Sequence, residues 1–576
     1  MKKTLRLHYS IFKVFTFVIL QICLTSSLFA QDATSLFQLR QEFEDGKLTA
    51  NEAVRAQLLL LNNSYGGTDG MLKCTTPISL MAHKHWNELS PEVKSEYQKA
   101  FFKSEILATE NYISPSGKFR VQYETTGNDA VPSADGNNNL IPDYVEWIAE
   151  AADSSYNRFI ARGFTDIFNT KSMPFDIIVA NDDNAYGFVP PNAPYIGIEN
   201  DFVGFPSNTD PEGSQKGAVK VTIAHELKHV FQFVQNGWVG DPDRWLEMDA
   251  TLYEEVMYDE VNDYYNYLDS FGNNFFGAPT VTIIPGSYED ITWALFFEER
   301  FGTTFWTKVW DRIESQSPSI TFFEAIEGAL SEFETSFEEA AVENFLWHFA
   351  SGASNSTPFF GFDESSLYPN PRLQGTFEEL QTELTDLQNM SRFSGRYFEF
   401  DLIQENNSLL KIDYTPGSSD VQVGLIAYYD DLSVETRFVT EPNAAELNSN
   451  ETGLSWGEID RLGVVFFNSS STQSQSIQFR VYDYVPVEIE SPQLSQNYPN
   501  PFNPSTTITV TLPFSQNVTL TVYDYLGRKV RVLADGVLGA GETPIPFEAN
   551  DLSSGIYFYH LETADKVVTR KMTFIK

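Results

Sequence analysis

The stretch GAVKVTIAHELKHVFQFVQN, residues 217–236, is apolar around most of its circumference when wound as a helix. Such a helix belongs inside a core, where a polar side chain without a partner is costly. It nevertheless carries His225, Glu226 and His229 in the spacing H-E-x-x-H. Positions i and i+4 lie on one helical face about a turn apart. Two imidazoles so placed can bind one tetrahedral zinc. Glu226 lies beside that face, placed to take a proton from water. The chain has seven histidines, and on composition a chance match has a probability below about one in a hundred. A solvated surface helix is the plain alternative, and the flanks VTIA and VFQF argue against it.

A third ligand has to come from elsewhere. Downstream stands DPDRWLEMDATLYEEV, residues 241–256, in which Asp241 and Pro242 signal a helix start. Glu247, Ala250, Thr251 and Glu254 then share one face. Glu247, Glu254 and Glu255 are all candidate ligands.

H-E-x-x-H followed 18 residues later by a Glu, with Ala three on and Glu seven on, resembles the gluzincin zinc metallopeptidases. The resemblance implies that Glu247 is the third zinc ligand, that Glu254 orients a ligand histidine, and that Ala250 packs against the zinc helix. Asp249 stands where many gluzincins have an aromatic, which leaves the substrate fit different. Tyr288, just before the helical text EDITWALFF, matches the placement of the tyrosine that stabilises the oxyanion in aminopeptidase-type gluzincins; His348 is the other candidate, with flanks that suggest a core position. More narrowly, Gly117 to Tyr267 is similar to a family of bacterial secreted metalloproteases, through GKFRVQYETTGNDAVP, PDYVE and WLEMDATLYEEVMYDEVNDY.

The segment SADGNNNLIPDYVE fits the twelve-residue ligand order of an EF-hand loop. Asp135, Asn137, Asn139, the Ile141 carbonyl, Asp143 and Glu146 take the six ligand positions. These hard oxygen donors suit calcium. Leu140 stands at the sixth position, where glycine ordinarily allows the sharp turn. An Asn-rich turn capping the next helix is the plain reading. The loop joins a strand to the helix before the catalytic unit, so a bound calcium would brace the fold.

The 576 residues include 38 basic and 79 acidic side chains, for a net charge of −41. So negative a surface excludes nucleic acid as a partner. With 14% aromatic residues the chain can bury several cores, which excludes disorder. Its two cysteines, Cys23 and Cys74, rule out a cysteine framework. Lys2, Lys3, Arg6 and Lys13, then the apolar run Val14 to Leu24 and TSSLFA before Gln31, have the order of a secretory signal peptide. Cleavage after Ala30 would leave Cys74 as a lone thiol. No other long apolar stretch predicts a membrane span.

The last block opens SQNYPNPFNPSTTI and closes GIYFYHL … VVTRKMTFIK. It resembles the carboxy-terminal sorting domain of the type IX secretion system, from Leu494 to Lys576. The resemblance implies export through the outer membrane by that machinery, to the medium or the cell surface. A carbohydrate-binding β-sandwich is the alternative.

The expected architecture is multidomain: an α+β, gluzincin-like metallopeptidase domain followed by two all-β sandwich domains. The expected boundaries are a signal peptide (1–30), a helical region that could be a propeptide (31–112), the peptidase domain with its calcium loop (113–350), a connecting segment (351–390), an accessory sandwich (391–486) and the sorting domain (494–576). The expected activity is zinc-dependent endopeptidase cleavage of protein or peptide substrates, with Glu226 as general base. The rivals are a catalytically silent surface-binding protein on a peptidase scaffold and an aminopeptidase. No G-x-M-E-N-type strand precedes the zinc helix, and YIGIEND, with Glu199, is a weak substitute for one.

Overall fold

The computed structural model describes residues 36–62, 72–101, 109–182, 185–268, 274–280, 282, 288–401, 409–415, 420–439, 448–455, 457–484, 491–539, 541–564 and 566–576. The expected signal peptide lies outside them. The chain divides into two compact units, with the boundary in sequence between Asp483 and Tyr484.

The first unit opens with helices α1 (Leu36–Glu44) and α2 (Ala50–Asn62), a short strand β1 (Leu72–Cys74), and helices α3 (Thr76–Lys84) and α4 (Pro91–Phe101). Leu36, Val54, Leu58, Ile78, Val93 and Tyr97 close into a small core that also takes in Ala185. Strands β2 (Glu110–Ile113) and β3 (Phe119–Tyr123), helix α5 (Asp143–Ala161), and strands β4 (Phe175–Val179), β5 (Ala185–Phe188) and β6 (Tyr195–Ile198) follow. They build a six-stranded mixed sheet in the order β1-β5-β6-β4-β3-β2. The sequence boundary at 113 therefore needs correction: the helical region before it supplies two strands of this sheet. Three residues of β1 are too few to show a period.

Helix α6 (Ser214–Asn236) crosses the sheet and is buried along most of its length, as its all-round apolar pattern requires. It comes close because β5 has Gly187 at the crossing. A Cβ there would lie 2.9 Å from Thr222 Cγ2 and 3.0 Å from Glu226 Cγ. Helices α7 (Leu246–Met257), α8 (Ile291–Phe301), α9 (Phe305–Gln316), α10 (Phe322–Leu330) and α11 (Phe337–Phe349) complete the helical layer. Thr321 and Ser336 close capping boxes at the starts of α10 and α11.

Strands β7 (Gly375–Phe377), β8 (Thr385–Met390), β9 (Ser394–Asp401), β10 (Leu409–Thr415), β11 (Val421–Tyr428), β12 (Val434–Val439), β13 (Asn448–Ser455), β14 (Arg461–Asn468) and β15 (Gln475–Tyr484) form a sandwich. One sheet runs β12-β11-β14-β9-β7 and the other β13-β10-β15-β8. The sandwich begins at Gly375, before the expected 391, because β7 and the polar β8 (TDLQNM) carry little apolar alternation. Nor is it a separate domain. Phe398, Phe400, Val464 and Phe466 face the second sheet, whereas Tyr397, Ile426, Val465 and Phe467 join the core of the helical layer. Successive residues point to opposite faces, so the five-stranded sheet is a middle layer buried on both sides. Gly395, Gly424 and Gly463 make room for α11: a Cβ at each would lie 2.3 Å from Phe345, 2.6 Å from Val342 and 2.4 Å from Phe349.

The second unit contains β16 (Gln493–Leu494), β17 (Ser505–Leu512), β18 (Gln516–Asp524), β19 (Lys529–Leu538), β20 (Gly541–Glu548), β21 (Gly555–Glu562) and β22 (Val567–Phe574). Two sheets, β16-β17-β20 and β19-β18-β21-β22, enclose a core of its own. The opening motif NYPNPFNP is pinned to the last strand. Phe502 N–H donates to the Thr573 carbonyl at 3.0 Å, Thr573 N–H donates to Asn500 Oδ1 at 2.9 Å, and the Phe502 ring packs 5.2 Å from Phe574. The buried Asn497 donates through Nδ2 to Thr506 Oγ1 and the Pro499 carbonyl. No described helix is long and apolar enough to cross a membrane.

Candidate metal centre

Helices α6 and α7 bring His225, His229 and Glu247 to one point. His225 Nε2 lies 3.3 Å from Glu247 Oε2, and His229 Nε2 lies 3.0 Å from Glu247 Oε1. The two imidazoles stand nearly perpendicular, 4.8 Å between centroids. All three side chains are buried. The orientation of these contacts is poor for hydrogen bonding: His225 Nε2 and both Glu247 oxygens have no partner of good geometry. Three unpartnered polar atoms converging in an apolar core are costly unless something binds between them. Two imidazole nitrogens and a carboxylate are the donor set of a zinc site, so the residues fit the metal that the sequence implies.

The other ring nitrogens are held from behind. Glu254 Oε1 lies 2.7 Å from His225 Nδ1. Gln232 Oε1 lies 2.7 Å from His229 Nδ1, and Gln232 Nε2 donates to Asp249 Oδ2 at 2.7 Å and to the Leu246 carbonyl at 3.0 Å. Both imidazoles are thereby turned to present Nε2 inward. Asp249, where a gluzincin often has an aromatic, also faces the buried Lys228 at 3.2 Å. Gln232 was absent from the sequence reading, although its place three residues after His229 on one helix could have suggested it.

Charge follows from this packing. Burial lowers the His225 pKa, but Glu247 and Glu254 outweigh it and push it up to about 10. Burial works to raise Glu247, but His229 and His225 hold it down at about 2. Burial pushes Glu226 up, the two imidazoles pull it partly back, and it stands at about 7. That is the range of a group that exchanges protons near neutrality.

Of the rival ligands, Glu254 sits behind His225. Glu255 points away, toward Glu364 and Asp259, and burial with those charges pushes its carboxyl up to about 10. Tyr288 is buried at the start of a short 3-10 helix before α8, and its ring packs 5.1 Å from Tyr267. Burial and the charges of Glu289 and Glu247 raise its pKa well above the usual phenol range, so it stays a hydrogen-bond donor near the centre. His348 belongs to the core. Its Nδ1 faces the Asn344 carbonyl at 2.9 Å, its Nε2 faces Thr292 Oγ1 at 2.8 Å, and burial pulls its pKa down to about 3.

Two residues from the amino-terminal segment reach the centre. Cys74 Sγ lies 3.5 Å from His229 Nε2 and 3.7 Å from Glu226 Oε2. Lys73 Nζ lies 2.8 Å from Glu254 Oε2 and also contacts Asp263.

The second candidate site is the loop before α5. Asp135 accepts from the Asn139 and Leu140 N–H groups, at 3.1 and 2.9 Å. Glu146 accepts from both Asn137 Nδ2 and Asn139 Nδ2, at 2.8 and 2.7 Å. Asp143 accepts from Gly136 N–H. Leu140 adopts φ 72°, the left-handed turn that a glycine would take there, and Asn138 adopts φ 57°. Asp135, Asn137, Asn139 and Glu146 thus share one small loop, and Asp143 closes it.

The comparisons with known proteins bear on the second unit. Residues 496–576 match the family of the secretion system C-terminal sorting domain. This segment is a type IX sorting domain, and the protein is secreted or attached to the cell surface. No curated protein matches the chain. Among solved structures, PorZ, a surface component of the type IX secretion system of Porphyromonas gingivalis, is 16% identical over 20% of this chain and 14% of its own, with a TM-score of 0.11. Latent PorU of the same organism is 15% identical over 27% and 16%, at 0.13. A β-glucuronidase of Bacteroides uniformis is 12% identical over 32% and 28%, at 0.15. The matched regions are thus under a third of each of these chains, and at such TM-scores the likenesses carry no assignment.

Proposed function

We propose that the first unit is a zinc-dependent endopeptidase of gluzincin type, delivered outside the cell by its sorting domain. The observation that carries this reading is the buried convergence of His225 Nε2, His229 Nε2 and the Glu247 carboxylate, with His225 Nε2 and both Glu247 oxygens unpartnered and Glu226 beside them. A zinc ion held by these three groups would supply Lewis acidity toward water and toward the scissile carbonyl.

The chain's own groups do the rest. Glu226 takes a proton from the attacking water and returns it to the departing amine, roles for which its place beside the two imidazoles on the same helix suits it. Glu254 and Gln232 fix the two imidazoles, so the ligands need little reorganisation on binding metal. Tyr288, kept protonated by burial, is the donor assigned to the oxyanion. The loop Asp135–Glu146 would hold a calcium ion through Asp135, Asn137, Asn139, the Ile141 carbonyl, Asp143 and Glu146, bracing α5 against the sheet. The substrate is protein or peptide.

The test is direct. The full-length protein should contain close to one zinc per chain, and its hydrolysis of a generic protein substrate should stop with a chelator and return with zinc. A chain without zinc and without chelator-sensitive hydrolysis would leave the silent surface-binding protein as the better reading.

A further inference from the structure

The three converging groups leave one side of the centre open to a fourth donor, and a side chain is already there. Cys74 Sγ and one ligand atom from each of His225, His229 and Glu247 all lie within 4.8 Å of one another. Cys74 is fully buried and its sulfur also faces Glu226. Independently of the cysteine, His225 Nε2 and both Glu247 oxygens are buried without a partner and aim into the same space.

The backbone around Cys74 is fixed in a telling place. Strand β1 pairs in parallel with β5, Cys74 opposite Gly187, and Thr75 N–H donates to the Gly187 carbonyl at 3.3 Å. Gly187 is the residue that packs against Glu226. That edge of β5 is where an extended peptide would add by main-chain hydrogen bonds to reach the centre, and β1 fills it. Two anchors hold β1 down. Lys73 is buried in ion pairs with Glu254 and Asp263, and Thr76 Oγ1 accepts from Val189 N–H at 2.8 Å. Glu226 Oε2 faces the Cys74 sulfur at 3.7 Å.

We propose that Cys74 is the fourth ligand of the metal held by His225, His229 and Glu247, and that β1 with α3 is a built-in inhibitor silencing the enzyme until it is displaced. The proposal rests on the zinc-site reading above and adds its regulation. A cysteine placed there for packing alone would put no sulfur on the metal.

The experiment uses the full-length chain loaded with zinc, with Cys74→Ser and Cys74→Ala beside it. X-ray absorption should find one sulfur at about 2.3 Å in the parent chain and nitrogen or oxygen neighbours alone in both variants. Thermal melts identify a variant that has failed to fold, and the parent spectrum stands by itself if both do. A plug that leaves only ~1% of molecules open should hold turnover down about a hundredfold, and the folded variants should recover it. Zinc bound with no sulfur neighbour, and turnover unchanged in the variants, overturns the role of Cys74 and leaves the metal site intact. Failure of the parent and both variants to bind zinc overturns the site itself, and the proposal with it.

Discussion

Lys73 Nζ lies 2.8 Å from Glu254 Oε2, and the other oxygen of that carboxylate holds His225 Nδ1. One carboxylate therefore links the amino-terminal strand to a histidine of the central cluster. Displacing β1 changes what Glu254 is paired with as well as what stands beside Glu226. His225, Glu254 and Lys73 therefore belong to one buried network.

Glu226→Gln should keep zinc and lose turnover by about a hundredfold or more, because the amide has the carboxylate's shape and cannot accept the water's proton. Metal analysis beside steady-state kinetics, in a background freed of Cys74, separates the two effects. Undiminished hydrolysis would assign the base to another group.

Gln232→Leu should weaken zinc affinity about tenfold to a hundredfold, since His229 loses the group that fixes its ring. Competition against a chelator of known affinity measures this. Equal affinity would show that helix packing alone orients His229.

Calcium should raise the melting temperature of the full chain, and at a hundredfold excess over its dissociation constant binding adds about 2.7 kcal/mol. Glu146→Gln should remove the shift, since Glu146 is the side chain on which both Asn137 and Asn139 converge. A parent chain that does not respond to millimolar calcium would leave the loop as a helix-capping turn.

His348 sets an acid limit on the first unit. Its folded pKa of about 3 lies below the unfolded value, so the unfolded chain binds the extra proton. Stability from this residue is full above about pH 6.5 and falls as the pH drops toward 3, by about 2 kcal/mol at pH 5. Denaturant titrations of the parent and of His348→Gln at pH 7 and pH 5 should differ by that amount, the parent faring worse at the lower pH. An equal pH response in the two proteins would contradict the assignment.

Ending the chain at Asp483 should leave the unfolding midpoint of the first unit unchanged, because the sorting domain has a core of its own. The shortened protein should accumulate inside the outer membrane. Its appearance in the medium would mean that export is directed elsewhere in the chain.

The convergence of His225, His229 and Glu247 could be read from the sequence because the spacings follow helix geometry: His225 and His229 one turn apart, and Glu247 near the start of the next helix. The grouping of Asp135, Asn137, Asn139, Asp143 and Glu146 was readable for a similar reason, all of them lying within twelve consecutive residues. What escaped was carried by contacts between distant segments. Cys74 reaches Glu226 across 152 positions, from a strand of three residues that shows no period. Glu255 stood as near to Glu247 in sequence as Glu254 did, and only packing sends it toward Glu364 and Asp259. The alternation of the sandwich is legible in the sequence, but its strands are apolar on both faces and need a second layer to cover them, and the sequence does not mark α11 as that layer.

Gly395, Gly424 and Gly463 have a practical consequence for anyone cutting the gene. A fragment stopped at Ala350, after the last helix of the helical layer, would leave Val342, Phe345 and Phe349 facing water where the sheet had covered them. An apolar stripe of that kind invites aggregation, and poor solubility of the fragment would be mistaken for an inactive enzyme. The smallest piece that keeps those rings covered runs through β15.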